Sequence, residues 1–261
     1  MRGLAFAALL VAVLGGCGGG SRTALDAKGG ALPSLSKRCG ARTRAKVGWF
    51  RASDGVLLDG AALGSGTTGV VLTHESPADL CGWVPYAQVL SRAGFRVLLI
   101  DLRHFGDSQS PTDPAKEGRF DRDVEGAVDE LKREGAAKVF LMGASFGGVT
   151  SMVAGSLLGS KIAGVVSVSG ETELANNYGG PQSELNALAA VPKLHVPLLI
   201  LGSRDDGYLT PAEAHVLYRK AGSAHKRLAL FPGSYHGWDL LSQAPYRAQA
   251  SRIVIAFLHR Y

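Results

Sequence analysis

Val139-Phe140-Leu141-Met142-Gly143-Ala144-Ser145-Phe146-Gly147-Gly148 is the stretch on which the reading of the chain turns. Its first four residues are an apolar run of the kind that forms a strand buried on both faces. Val149-Thr150-Ser151-Met152-Val153-Ala154, immediately after, reads as a helix. A strand that turns at once into a helix leaves its pivot residue strained and prominent. The backbones pass close two residues before and after the pivot, so small residues are needed there. Gly143 and Gly147 meet that need, and Gly148 adds slack. Ser145 is the pivot, with its hydroxyl presented and backbone N–H groups near it. The competing reading is a glycine-rich turn with a spare serine in a chain of 35 glycines. The strand before and the helix after favour the first.

Outward from this turn the chain alternates. Residues 47–51 and 56–61 read as two hairpin-paired strands around the turn Ser53-Asp54-Gly55, and 69–73 as a buried strand. Further strands fall at 97–100, 139–142, 162–168, 196–201 and 227–231. Helices fall at 84–93, 120–133, 211–220 and 245–260, with Val124, Val128 and Leu131 sharing one face. Thr210 is placed to cap the third of these and Pro245 suits the first turn of the last. About eight strands alternating with helices imply a mostly parallel twisted sheet covered on both faces, an α/β architecture with the first hairpin as an antiparallel edge. Between Gly170 and His195 there are 24 residues, room for a short helix or flap but not for a lid domain. The site is therefore expected to be open on top.

Gly143-x-Ser145-x-Gly147 between a strand and a helix resembles the nucleophile elbow of the α/β-hydrolase family. Other segments resemble that family in the same order along the chain. Asp101-Leu102-Arg103-His104-Phe105-Gly106-Asp107-Ser108 is similar to the family's Asp-x-Arg-Gly-x-Gly-x-Ser loop, with His104 where glycine is common. Gly202-Ser203-Arg204-Asp205 is similar to the acid turn Gly-x-x-Asp and selects Asp205, with Asp206 adjacent and Glu171 and Glu173 as weaker options. His236, on Gly233-Ser234-Tyr235-His236-Gly237-Trp238, lies past the last strand, where the family places its histidine. A serine hydroxyl is a poor nucleophile at neutral pH and needs a base, which in turn needs an orienting carboxylate. The resemblance thus implies a triad of Ser145, His236 and Asp205. It also assigns the oxyanion donors to the backbone N–H of Phe146 and to the loop Thr73-His74-Glu75-Ser76, where Glu75 stands in place of the usual glycine and the second donor is Glu75 or Ser76. Phe146, Trp83, Tyr178 and Trp238 are candidates for an apolar wall, or equally ordinary core aromatics. Within the family the chain is most similar to the dienelactone-hydrolase-like and esterase-like members with a minimal lid.

The first residues stand apart. Arg2 precedes an apolar run, Leu4 to Leu14, too short for a membrane-spanning helix of ~20 residues but suited to a secretory signal. It ends in Leu14-Gly15-Gly16-Cys17, which resembles the bacterial lipobox, where a peptidase cuts before a cysteine that becomes lipidated. The expected organisation is a signal peptide over 1–16, a lipidated Cys17 (palmitate among its acyl chains) with a flexible tether over 17–38, and a catalytic domain over 39–261. The protein would then be a lipoprotein anchored to a bacterial membrane outside the cytoplasm. Cys39 and Cys81 would remain either as a disulfide, which an oxidising compartment permits, or as two independent small apolar residues.

The net charge of +6 is unevenly placed, with eight basic residues against one acid between residues 21 and 51. The body beyond is close to neutral, which gives a nucleic-acid role no support, while the basic segment suits either anionic head groups or a solvated tether. The expected function is hydrolysis of a small ester or thioester through an acyl-enzyme, with no metal and no organic cofactor. The rivals are a peptidase or amidase, an acyltransferase on the same residues, and a surface binding protein that has lost its chemistry.

Overall fold

The computed structural model describes residues 31–174 and 185–261. The expectations placed on residues 1–30, Cys17 included, and on Tyr178 fall outside those residues. In chain order the elements are α1 (Leu35–Cys39), β1 (Lys46–Arg51), β2 (Leu57–Leu63), β3 (Thr68–Thr73), α2 (Val84–Arg92), β4 (Arg96–Ile100), α3 (Phe120–Arg133), β5 (Lys138–Ala144), α4 (Phe146–Leu158), β6 (Gly164–Val168), α5 (Ala187–Ala190), β7 (Leu198–Ser203), α6 (Pro211–Lys220), β8 (Lys226–Phe231), α7 (Asp239–Ser242) and α8 (Arg247–Arg260). The strands form one eight-stranded sheet in the order β1-β2-β4-β3-β5-β6-β7-β8. The β1–β2 and β2–β4 pairings are antiparallel and the rest are parallel.

Side-chain alternation along the central strands explains the two covered faces. Val139 and Leu141 of β5 join one core with Val124, Val128 and Leu131 of α3 and Val149 and Met152 of α4. Phe140 and Met142 of the same strand join the other core, with Ala87 and Leu90 of α2 and Val254 and Leu258 of α8. Each of these buried side chains larger than alanine contributes about 1.5–3 kcal/mol, so no single one decides the fold. β7 starts only at Leu198, past Pro197, which has no N–H to give to a ladder. The last helix starts at Arg247, just past Pro245, because α7 forms a separate turn ahead of it.

Strand order reverses between β3 and β5, since the chain runs outward through β4 on one side and through β6, β7 and β8 on the other. A crevice opens at such a switch point beyond the carboxyl ends of parallel strands. Thr73, the last residue of β3, pairs with Gly143 of β5 there.

The expected tether gives way to packed structure before residue 39. Leu35 is buried, Ser34 caps α1, and a disulfide joins Cys39 to Cys81. Arg38 is the reason this arm has a fixed seat. Its guanidinium bridges Asp59 and Asp101, both buried, and lies 3.3 Å from Asp79 and 3.5 Å from Asp107. Burial, with the Asp101 charge beside it, pushes Asp59 up to about 7 against the pull of Arg38. Burial disfavours the Arg38 charge, but the hydrogen bond and charge of Asp101 raise its pKa further above the ordinary value. Removing one member of such a group leaves uncompensated charge in a poorly solvated place. Arg38→Met should therefore lower the unfolding free energy by about 3–5 kcal/mol near pH 8. The loss should shrink toward pH 5, where Asp59 takes up a proton and the parent protein loses the Asp59 arm of the bridge while keeping the Asp101 arm. Urea unfolding at the two pH values checks this; a loss that does not change with pH would contradict it.

Candidate active site

Ser145 sits between β5 and α4 with φ 49° and ψ −118°, a conformation that side-chain-bearing residues rarely adopt and that costs about 1–3 kcal/mol. The turn is held from both sides. The Ser145 N–H donates to Val168 O of β6 at 2.9 Å, and the Val149 N–H donates to Ser145 O at 3.1 Å, which starts α4. A Cβ on Gly143 would lie 2.0 Å from Gly147 O, and one on Gly147 would lie 2.2 Å from Thr73 O. Only glycine fits at either place. The Thr73 hydroxyl donates to Gly147 O at 2.9 Å and fastens the turn to the end of β3.

The base and acid come from the far half of the sheet. His236 lies on the loop between β8 and α7, and its Nδ1 is 2.9 and 3.0 Å from the two carboxylate oxygens of Asp206. The partner is Asp206 rather than Asp205, which corrects the position taken from the Gly-x-x-Asp pattern. The cause is a ladder that outlasts its strand. After Ser203 pairs with Phe231, the Arg204 N–H donates to Phe231 O at 2.8 Å and the Asp205 N–H to Gly233 O at 3.0 Å. The chain therefore turns inward one residue later. Asp205 is exposed, whereas Asp206 is buried and accepts the Tyr208 N–H at 2.9 Å.

The electrostatics follow from this pairing. Burial would raise Asp206, but hydrogen bonds from His236 and the Tyr208 N–H hold it below the ordinary carboxylate value. Burial likewise opposes charge on His236, yet the Asp206 hydrogen bond and charge, with Glu75 and Glu171 beyond, raise its pKa above that of a free imidazole. With Nδ1–H given to Asp206, the neutral ring keeps its lone pair on Nε2. The Tyr208 ring lies 4.6 Å from the imidazole, centroid to centroid.

Around this pair, other candidates take different parts. Glu173 accepts from the Asn186 side chain at 3.1 Å, and Glu171 contributes only its charge to His236. His74 is buried; its Nε2 accepts the Leu102 N–H at 3.1 Å, so its Nδ1–H donates to Glu75 O at 2.7 Å. Burial lowers its pKa, and a neutral ring with both nitrogens engaged fixes the loop after β3. Trp83 and Phe146 are core residues rather than pocket walls. The Trp83 indole N–H donates to Thr73 O at 2.8 Å, and the Phe146 ring packs on those of Phe105 and Phe120. Trp238 is partly buried, edge-on to Trp83 at 5.9 Å. His104 adopts φ 71°, which explains why glycine suits that position.

Sequence reasoning missed Ser169, at the end of β6. It is buried, has φ 52°, and its hydroxyl meets no partner in full hydrogen-bond geometry, although it lies close enough to Asp206 to help hold that carboxyl down. A serine closing a buried apolar strand just before a glycine, Val168-Ser169-Gly170, was its only signal. Among the described residues no group of three or more His, Cys, Asp or Glu is gathered as a metal-ligand set.

Comparison with known proteins agrees with this geometry at the level of fold. Residues 70–194 match the family described as alpha/beta hydrolase fold, and residues 182–239 match one described as serine aminopeptidase, S33. Epoxide hydrolase 3 of Siraitia grosvenorii is 34% identical over 99 residues, which are 37% of this chain and 30% of that protein. The chain spans less than a third of the length of the curated relatives it matches. Among solved structures, an esterase of Pyrococcus furiosus is similar with a TM-score of 0.67 at 19% identity, over 89% of this chain and 96% of the other. The enol-lactonase of Burkholderia xenovorans LB400 gives 0.64 at 19% identity, over 81% and 99%. Sheet order, strained serine turn and the match of residues 70–194 together give the chain an α/β-hydrolase fold.

Proposed function

We propose that the protein is a serine hydrolase that cleaves a carboxylic ester or thioester through an acyl-enzyme on Ser145. The observation that carries this reading is the His236–Asp206 pair, set on the rim of the sheet where β5 presents the strained Ser145. Neutral His236 accepts the serine proton at Nε2 as Oγ attacks the carbonyl carbon. The resulting imidazolium is stabilised by Asp206 and returns its proton to the leaving group. Water, deprotonated by the same imidazole, then attacks the acyl carbon, and the bond to Ser145 Oγ breaks as the imidazolium returns the proton to it, releasing the acid. The backbone N–H groups of Phe146 and Glu75 are the donors that family resemblance assigns to the oxyanion.

Likeness in sequence to epoxide hydrolases does not point to epoxide opening here. A serine oxygen that opened an epoxide would become an ether, which water does not clear, whereas an acyl ester is cleared readily. The match of residues 182–239 to the serine aminopeptidase description favours amide cleavage as a second reading, because that segment holds Asp206 and His236. We place the protein with small esterase-like members acting on short or solvent-borne acyl groups. The anchor belongs to the proposal as well: Leu14-Gly15-Gly16-Cys17 supports export and lipidation, and the Cys39–Cys81 disulfide suits an oxidising compartment.

A fluorophosphonate label should attach to the parent protein and not to Ser145→Ala, and a chain-length series of activated esters, thioesters and aminoacyl amides should rank esters or thioesters first. Failure to label or to turn over any member would reject the hydrolase reading. Asp206→Asn should lower kcat on the order of 10⁴-fold, as expected when the imidazole loses its orienting carboxylate. Asp205→Asn should stay near the parent rate. Equal effects from the two would overturn the assignment of the acid. Because the base acts only when neutral, kcat/KM should fall as pH drops through a value above that of a free imidazole. A pH–rate profile checks this limb.

A further inference from the structure

We infer that Glu75 is a positioning residue whose side chain clamps the His236 loop onto the loop after β3, so that base and elbow are held as one body. The inference rests on the hydrolase reading and adds to it a residue that acts through another. The Glu75 carboxylate accepts the Trp238 N–H at 2.6 Å, across 163 residues of sequence. It occupies the space beside Gly237, where a Cβ would lie 1.8 Å from Glu75 Oε1. Gly237 itself has φ 50°, and Gly233 at the other end of the loop has φ 84°. A loop flanked by two such glycines has little stiffness of its own.

A closed circuit of contacts supplies what the loop lacks. The Trp238 ring fills the space beside Gly82, where a Cβ would be 2.2 Å from it, and meets Trp83 edge-on. Trp83 donates to Thr73 O, and Thr73 is fastened to Gly147 of the serine turn. Glu75 follows Thr73 by two residues, and its carbonyl is fixed by His74. Asp206 holds one ring nitrogen of His236; Glu75 holds the backbone two residues on. Two points of attachment set the direction of the Nε2 lone pair, where one leaves it free to swing.

The same carboxylate bears on the imidazole's charge. The acids that act on His236 are Asp206 after β7, Glu75 after β3 and Glu171 after β6, and Asp239 of α7 lies beside Glu75 in turn. Burial raises Glu75, against the Trp238 N–H and the His236 charge, which pull it down. Glu75 therefore favours the protonated imidazole as well as its placement.

Two variants separate these roles, since Gln keeps the acceptor without the charge and Ala removes both. Glu75→Ala should lower kcat on the order of tenfold to a hundredfold with KM little changed. Glu75→Gln should recover most of that rate at alkaline pH while moving the acid limb of kcat/KM to lower pH, because the neutral base then survives further down. Titration of the His236 ring proton by NMR, assigned with His236→Gln, provides a readout without turnover, and both Glu75 variants should titrate lower than the parent. Parent-like kcat in Glu75→Ala, or an unshifted His236 titration in Glu75→Gln, would overturn the inference. Ser145→Ala is run alongside. If the parent turns over nothing, the hydrolase reading fails by itself, and the titration still decides whether Glu75 acts on His236.

Discussion

The contact between Thr73 and Gly147 is the constraint on which the rim of this sheet depends. β3 and β5 are neighbours at the strand-order reversal, and their carboxyl ends must each release a chain segment into the same small space. That is feasible only because the turn after β5 has no Cβ at residues 143 and 147. The Thr73 hydroxyl then reaches Gly147 O, and its carbonyl takes the Trp83 indole N–H. A single residue thereby ties the serine turn to the wall beneath the loop bearing Glu75. Replacing either glycine would push β3 and α4 apart, and with them the elements that face each other across the crevice.

Charge is handled in the same economical way, by burying few ions and giving each a partner. Arg103 is fully buried between Asp123 and Asp54, and Arg38 serves four acids from the amino-terminal arm. These pairs are weak evidence for stability as such, since desolvation of both ions offsets most of their attraction. Their effect is to fix loops. Arg103 holds the segment after β4 against α3, and Arg38 holds the acids on β2 and at the end of β4. His236 and Asp206 differ from both in that a buried carboxylate holds a partly exposed imidazole and favours its charge.

The sequence displayed the sheet plainly because parallel strands covered on both faces leave unbroken apolar runs such as Val139-Phe140-Leu141-Met142 and Val165-Val166. The serine turn was equally plain, since its steric demand falls on two fixed positions. What a pattern cannot carry is the length of a hydrogen-bond ladder. The two extra β7–β8 bonds at Arg204 and Asp205 moved the acid by one residue, and nothing local to Gly202-Ser203-Arg204-Asp205-Asp206 announces them. Arg38 was hidden for a related reason: its partners lie 21 to 63 residues away, and only the fold brings them together. Trp83 could be read as pocket wall or core from its type alone. Its hydrogen bond to Thr73 decides for core, and that bond too is long-range.

Backbone strain gives an argument for the place of the site that does not use the serine motif at all. Among the described residues, the non-glycine positions with positive φ are His104, Ser145 and Ser169. They follow β4, β5 and β6, three parallel or near-neighbouring strands, and all three lie at the same carboxyl edge. Such conformations persist only where surrounding structure over-determines them. Elsewhere in the molecule the corresponding turns use glycine, as at Gly55, Gly94, Gly135 and Gly159, and avoid the penalty. At the carboxyl edge glycine serves too, at Gly106, Gly233 and Gly237, yet Ser145 and Ser169 keep their hydroxyls there despite the penalty. Ser145 is presented to the crevice at the switch point, and Ser169 stands behind it beside Asp206. The strain is thus distributed along the line that joins nucleophile to acid.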